Sequence, residues 1–172
     1  MIVFRDFDSP LGPMIGGATE NGVCFLEFHD RGGVERIHAR VTKRYKQELS
    51  EGTNRHLDLL EKEISSYFAG TLELFSVVQE VTGTAFEMEA WQQLLKIPYG
   101  KTCSYGEQAK AIGRPGAARA VGRANGANYL SIIIPCHRVI EAGGGLRGYG
   151  GGLWRKRALL DLEAGRTTLP LG

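Results

Sequence analysis

A chain of 172 residues that is 42% hydrophobic is large enough to bury one medium core or two small ones, and too apolar to be disordered. No apolar run approaches a membrane span, and acidic residues follow too soon after the opening "MIV" for a signal peptide, so a cytoplasmic location is expected. Three widely spaced cysteines without a CxxC pair argue against a disulfide framework, while a net charge of +2 neither demands nor excludes a nucleic-acid partner.

The first thirty residues read as a β-meander. "MIVFRDF" and "VCFLEFH" are strand-like, and Asn21-Gly22 between apolar segments is a two-residue hairpin signal. Two amphipathic helices are predicted next. "GVERIHARVTKRYKQEL" sets Val34, Ile37 and Val41 on one face; "NRHLDLLEKEISSYFAG" does the same with Leu57, Leu60, Ile64 and Phe68, with Gly70 as its stop. "TLELFSVVQEV" reads as a further strand, which makes the first half α+β.

Thr84 and Glu87 then form a capping box ahead of the helical pattern "FEMEAWQQLLKI". This change of punctuation places a domain boundary at Val81–Gly83, with residues 1–82 as a supporting α/β domain and 83–172 as the domain that carries chemistry. Ser104 and Glu107 form a second capping box, opening a short helix "YGEQAKAI" that Gly113 and Pro115 end. A third helix, "GAARAVGRANGA", follows a turn of about four residues, and two short helices joined this tightly predict a helix-turn-helix. Residues 132–134 read as a buried strand running into Pro135. The stretch 141–152 has seven glycines in twelve residues, a loop whose backbone must approach something closely. The amphipathic helix "LWRKRALLDLEAG" closes the domain.

The chemistry concentrates where that strand ends. Cys136, His137 and Arg138 are consecutive, and Glu163 in the last helix is available to orient the imidazole. A thiol becomes a useful nucleophile at neutral pH when a base or a positive field stabilises its thiolate, so this cysteine-histidine-acid set predicts an activated thiol. Cys24 and Cys103 are expected to pack in cores. His29, His38 and His56 share the first half with Cys24 at spacings that match no compact zinc motif, so no metal or other cofactor is expected.

"PCHRV", preceded by "AARAVGRANGANYLSIII" and followed by "GGGLRGYGGGLWRKRALLDLE", closely resembles the O6-alkylguanine-DNA alkyltransferases. The resemblance is dense from Phe86 to Glu163; in the first half it is carried by "SPLG" at 9–12 and "YFAG" at 67–70. It implies an α+β protein: a ribonuclease H-like N-terminal domain with a small antiparallel-rich sheet, then a mostly helical C-terminal domain containing the helix-turn-helix. The implied function is direct-reversal DNA repair, in which Cys136 irreversibly takes the alkyl group from O6-alkylguanine, and from O4-alkylthymine, one protein per lesion.

The same resemblance implies a role for each matching residue. A water linked to His137 would remove the thiol proton, with Glu163 holding the histidine. Tyr105 would donate to guanine N3. The loop at Tyr149, Gly150 and Gly151 would line the pocket, its backbone near Tyr149 and Gly150 donating to O6, with Gly150 standing where many relatives have serine. Main-chain carbonyls at Cys136 and Val139 would accept from the exocyclic amine. Arg119 would fill the space that the flipped base leaves, and Tyr105 would crowd the phosphate. Small residues Ala117, Ala118, Ala120 and Gly122 would let the second helix lie in the minor groove of double-stranded DNA, with Arg114, Arg123 and Lys101 near phosphates. Asn128 would tie that helix to the active-site turn, and Ser131 would leave a roomier pocket than a bulkier residue. A monomer without membrane contact is implied. Three rivals share parts of this pattern: a non-catalytic lesion-binding protein that recruits repair factors, a DNA-binding regulator, and a cysteine hydrolase, which turnover would distinguish.

Overall fold

The computed structural model describes residues 1–166 and is an α+β protein whose contacts divide the chain into two units, one spanning Met1–Thr82 and one beginning at Gly83. In the first unit, β1 (Ile2–Phe7), β2 (Met14–Thr19), β3 (Gly22–Phe28) and β4 (Leu49–Glu51) form one mixed sheet in the order β3-β2-β1-β4. The pairs β1–β2 and β2–β3 are antiparallel and β1–β4 is parallel. The central strand β2, "MIGGAT", is absent from the expected meander because its two glycines mask its strand character. They serve close packing. A Cβ on Gly16 would stand 2.8 Å from the Phe7 ring, and one on Gly17 would run into Phe25. Thr19 pairs with Gly22, so the hairpin turn is Glu20-Asn21, one residue earlier than the Asn21-Gly22 signal indicates.

The two predicted helices of this unit are present as α1 (Val34–Tyr45) and α2 (Arg55–Phe68). Asn54 caps α2 by accepting from the His56 and Leu57 amides, and the buried Leu57, Leu60 and Ile64 turn toward the sheet. The strand expected over 71–81 does not form. The amides of Ser76 and Val77 donate to the buried carboxylate of Glu63 instead of to a neighbouring strand, leaving an isolated bridge between Val23 and Gln79. A carboxylate that takes two amides and the Ser76 hydroxyl competes directly with a ladder.

The second unit starts with α3 (Ala85–Leu94), whose Thr84–Glu87 capping box is fully formed. Trp91 of α3 donates its indole N–H to the Ala124 carbonyl of α5 (Ala118–Gly126) at 2.8 Å. Between them comes β5 (Cys103–Ser104), and the Ser104–Glu107 capping box opens α4 (Tyr105–Ala111). Helices α4 and α5 are joined by residues 112–117, two more than expected, and are clamped by a buried reciprocal amide pair, Gln108 with Asn125, at 2.8 and 2.9 Å. Then β6 (Val139–Ile140) runs parallel to β5, and α6 (Leu153–Glu163) ends the described elements.

Residues 132–134 are not a strand. They form a turn in which Ile132 takes φ = 73°, and Cys136–Arg138 make one turn of 3₁₀ helix directly after Pro135. A β-branched residue in the left-handed region costs roughly 1–3 kcal/mol. Complete burial of its side chain offsets this. No helix among the described residues is long and apolar enough to cross a membrane.

Candidate active site

The short parallel pair β5–β6 sets the geometry of the site. Cys103 registers with Val139 and Ser104 with Ile140, so Tyr105, the first residue of α4, is brought beside the turn that bears Cys136. The 3₁₀ turn then sends His137 and Arg138 into the interior, where both meet Glu163 at the end of α6. His137 Nε2 lies 2.7 Å from Glu163 Oε2. Arg138 donates from Nε to Oε1 at 2.7 Å and from Nη2 to Oε2 at 3.1 Å. A third arginine bond, to the Ile97 carbonyl at 2.7 Å, fixes the guanidinium. Two sequential residues thus share one carboxylate, with Arg138 gripping it in the two-pronged manner that guanidinium geometry favours.

Burial alone would push the Glu163 carboxyl up; the His137 imidazole and the Arg138 guanidinium outweigh it and hold the group down at about 2. The carboxylate therefore stays anionic, and an anion at Nε2 requires a proton on that nitrogen. That leaves Nδ1 as the basic nitrogen of the neutral ring. It is buried and makes no hydrogen bond among the described residues. The Tyr149 ring stands edge-on to the imidazole, 6.5 Å between centroids.

Cys136 is half-buried, and its Sγ receives the Asn128 side-chain N–H at 3.5 Å. The same amide donates to the Ile134 carbonyl at 2.9 Å, and its oxygen accepts the Leu130 N–H at 2.9 Å. Asn128 therefore laces the turn from three sides. Asn128→Ala is expected to leave the buried Leu130 N–H without its partner and to take from the Ile134 carbonyl one of its two donors, the Cys136 N–H remaining at 2.8 Å, at a cost of about 2–4 kcal/mol. A fall in melting temperature of roughly 5–15 °C in a thermal unfolding scan is the corresponding reading. The other two thiols are poorly suited to chemistry. Burial pushes Cys24 to about 11, and burial together with the nearby Glu107 pushes Cys103 to about 11.

Tyr105 donates its hydroxyl to the Arg147 carbonyl at 2.6 Å, and its ring packs 3.8 Å from where a Cβ on Gly122 would sit. Burial raises its pKa, and the nearby Cys136 charge raises it further. The glycine-rich loop is pinned to α6. Arg155 donates to the Gly151 carbonyl at 2.9 Å and Lys156 to the Arg147 carbonyl at 2.8 Å, while Gly152 N–H closes on the Tyr149 carbonyl at 3.0 Å. Gly150 is exposed and Gly151 buried.

Not every sequence-selected residue joins this cluster. Arg119 and Arg123 project from α5 into solvent, Ala118, Ala120 and Gly122 are half-buried on the same helix, and Lys101 is exposed. Arg114 is held to α3 by Glu89 at 3.4 Å and by the Phe86 ring at 5.5 Å to its centroid. Ser131 is fully buried and Val139 lies in β6. The Cys136 carbonyl already accepts the Val139 N–H. Two residues escaped the sequence reading. Arg138 stands out there as a positive neighbour of the thiol, yet its partner is Glu163. Lys156 went unremarked. Its signal is position: it shares a helical face with Leu159 and Glu163, all three buried.

Residues 85–165 match the family model described as 6-O-methylguanine DNA methyltransferase, DNA binding domain. The methylated-DNA--protein-cysteine methyltransferase of Mycolicibacterium paratuberculosis is 55% identical over 163 residues, 95% of this chain and 93% of that protein. The Mycobacterium tuberculosis protein of the same name is 44% identical over 99% of this chain and 98% of its own length. The solved structure of Mycobacterium tuberculosis OGT in complex with DNA superposes with a TM-score of 0.81 at 44% identity, covering 95% of this chain and 94% of that one. With likeness running the length of both proteins, and the cysteine-histidine-glutamate cluster lying inside the matched segment, the chain belongs to the 6-O-methylguanine DNA methyltransferase family.

Proposed function

We propose that the protein repairs DNA by direct reversal, moving the alkyl group of O6-alkylguanine irreversibly onto Cys136. One observation carries this reading: a half-exposed thiol immediately precedes a buried histidine whose Nε2 is held by an anionic Glu163 and whose Nδ1 is left basic. Nδ1 takes the thiol proton through a water. The thiolate attacks the alkyl carbon, the C–O6 bond breaks, and its electron pair passes into the purine. Charge developing on the ring is met by the Tyr105 hydroxyl at N3 and by the loop backbone near Tyr149 and Gly150 at O6, with Gly151 lining the pocket. Gly150 offers no side-chain hydroxyl, so this donation falls to the backbone. O4-alkylthymine presents an equivalent alkyl-oxygen bond.

DNA enters in this proposal through the second unit. The pair α4–α5 acts as a helix-turn-helix, with Arg119 and Arg123 exposed on α5 beside the small residues Ala118, Ala120 and Gly122. Such a face suits a minor groove better than a rack of charges does. Arg119 occupies the space of the extruded base, and Arg114, tied to Glu89, makes the weaker phosphate contact. Ser131 leaves room for alkyl groups larger than methyl. The first unit, whose β3-β2-β1-β4 order supports a ribonuclease H-like reading, is a supporting domain. The protein works as a monomer in the cytoplasm, on the nucleoid. A purely lesion-binding role has less support, because the acceptor thiol and its histidine are both present.

The test is intact and peptide mass spectrometry after mixing the protein with a duplex carrying one O6-methylguanine. A single methyl on the peptide containing Cys136, with guanine restored one for one, is expected. Unmodified protein that still binds the duplex would refute transfer, and many products per protein would indicate a hydrolase.

A further inference from the structure

The turn that begins at Tyr149 is a chain of linked peptide units. Gly152 N–H closes on the Tyr149 carbonyl at 3.0 Å, which makes Gly150 and Gly151 the corner residues of a β-turn. Tyr149 itself stands edge-on to His137, the neighbour of Cys136. The Gly151 carbonyl, on the same peptide as the Gly152 N–H, accepts from Nη1 of Arg155 at 2.9 Å. Arg155 is buried, and its guanidinium lies 4.4 Å from the centroid of the Trp154 ring. Trp154 is exposed, and its ring rests on Gly152, where a Cβ would stand 3.2 Å from Cδ1 and 3.3 Å from Nε1. A large aromatic ring in solvent has a task in this arrangement: it covers the cation and the peptide that the cation grips.

The bonds run in one direction. The Arg155 guanidinium donates to the carbonyl of the Gly151–Gly152 peptide. The N–H of that peptide donates to the carbonyl of the Tyr149–Gly150 peptide, whose own N–H belongs to Gly150. A carbonyl that accepts a bond from a cation draws electrons from its nitrogen and makes the N–H of the same peptide a stronger donor. In a chain of such bonds the gain is about 10–30% at each link. Positive charge at Arg155 is thereby felt at the Gly150 amide. The intervening peptide is also held at both its oxygen and its nitrogen, which fixes its tilt.

Resting on the alkyl-transfer reading above, we propose that Arg155 is a positioning residue that aims and polarises the Gly150 N–H toward O6 of the alkylated guanine. Gly150 has no side-chain hydroxyl to offer, and the relay strengthens the backbone donor in its place. As the S–C bond forms, the C–O6 bond breaks and its electron pair passes to O6 and the purine. The bond from the Gly150 N–H tightens as that charge develops, and Arg155 gives up no proton. Trp154 keeps water from the guanidinium, so less of its charge is screened before it reaches the loop.

The test is single-turnover transfer from duplexes carrying either O6-methylguanine or S6-methyl-6-thioguanine, in which sulfur, a far weaker acceptor, replaces O6. Arg155→Met removes the charge, Arg155→Gln removes it but keeps a donor for the Gly151 carbonyl, and Arg155→Lys keeps the charge. Each is also made in a Gly150→Ser background, which the site tolerates because Gly150 is exposed and its φ is not positive. Losing the charge is expected to slow transfer from O6-methylguanine roughly 10- to 30-fold, and lysine to restore it to within about threefold. The cost should fall below about threefold on the sulfur base, and likewise in the Gly150→Ser background, where a hydroxyl supplies a second donor. Comparing the two bases within each variant cancels any loss of folded protein. Equal losses on both bases, equal losses in both Gly150 backgrounds, or an Arg155→Met variant as fast as the unaltered protein would each overturn the proposal. Should the Arg155 variants not fold, Trp154→Ala, at the surface, carries the same test. A slowing of about threefold confined to the oxygen base is expected there, and no slowing, or an equal one on both bases, overturns the relay. Failure of the unaltered protein to methylate Cys136 would instead remove the alkyl-transfer reading itself.

Discussion

Cys136→Ser abolishes alkyl transfer and leaves DNA binding within about twofold of the unaltered protein. The thiol is a reactant, not a turnover catalyst, so no partial rate from the remaining groups can finish the reaction on another residue. Serine is the informative replacement because it keeps the polar contact with the Asn128 amide, seen here as an N–S approach of 3.5 Å, while its hydroxyl is far less acidic than a thiol. The neighbouring groups are then undisturbed, and loss of transfer reports on the sulfur alone. Single-turnover assays and a gel-shift titration on the same duplex check it. Methyl transfer by the serine variant would mean that another thiol is the acceptor, and Cys24 and Cys103, each pushed to about 11, are poor replacements.

Glu163→Gln combines a kinetic effect with a stability effect. The carboxylate accepts from His137 at one oxygen and from Arg138 at both. An amide has one acceptor oxygen, and its NH2 must confront an N–H of one of them. The histidine then loses the anion that fixes its proton on Nε2, and transfer should slow by about 10²–10⁴-fold, the range seen when a histidine's orienting carboxylate or a general base is disabled. Stability follows from linkage. The folded-state carboxyl, at about 2, lies below its ordinary value of 4.5. A depressed carboxyl contributes stability that is fully present above the unfolded-state value and lost as pH falls through the folded one. The contribution is roughly 3 kcal/mol at neutral pH. Urea unfolding between pH 7 and pH 2 should therefore show an acid limb, with most of the loss between about pH 4.5 and 2, that the glutamine variant lacks. An identical limb in the variant would locate that stability elsewhere.

The parts of this molecule written in local chemistry were legible from its sequence. Thr84–Glu87 and Ser104–Glu107 both close as reciprocal caps, and the helices that follow start where they indicate. His137 and Glu163, singled out together in the sequence, do meet, at 2.7 Å. Illegible were features decided by distant partners. Ile132, Ile133 and Ile134 look like a strand because β-branched residues favour one, but they turn, closed by Ile134 N–H on Leu130 O and braced by the Asn128 side chain at Ile134 O and Leu130 N. The apparent strand over 71–81 was lost to Glu63, an acid on another element. Arg138 and Lys156 illustrate the same limit. A cation's role depends on which oxygens meet it, and those oxygens lie at least 25 residues away for Arg138 and at least eight for Lys156.

The two silent thiols make the chain its own gauge. With Cys24 and Cys103 raised to about 11, fewer than about one in a thousand of either is ionised at neutral pH. A mild electrophilic dye offered to a mixed sample should therefore mark live molecules once each, at Cys136, and pass over those already spent. Fluorescence per chain would then count the repair capacity left in a population, an inventory that a turnover catalyst, regenerated after every cycle, could never display.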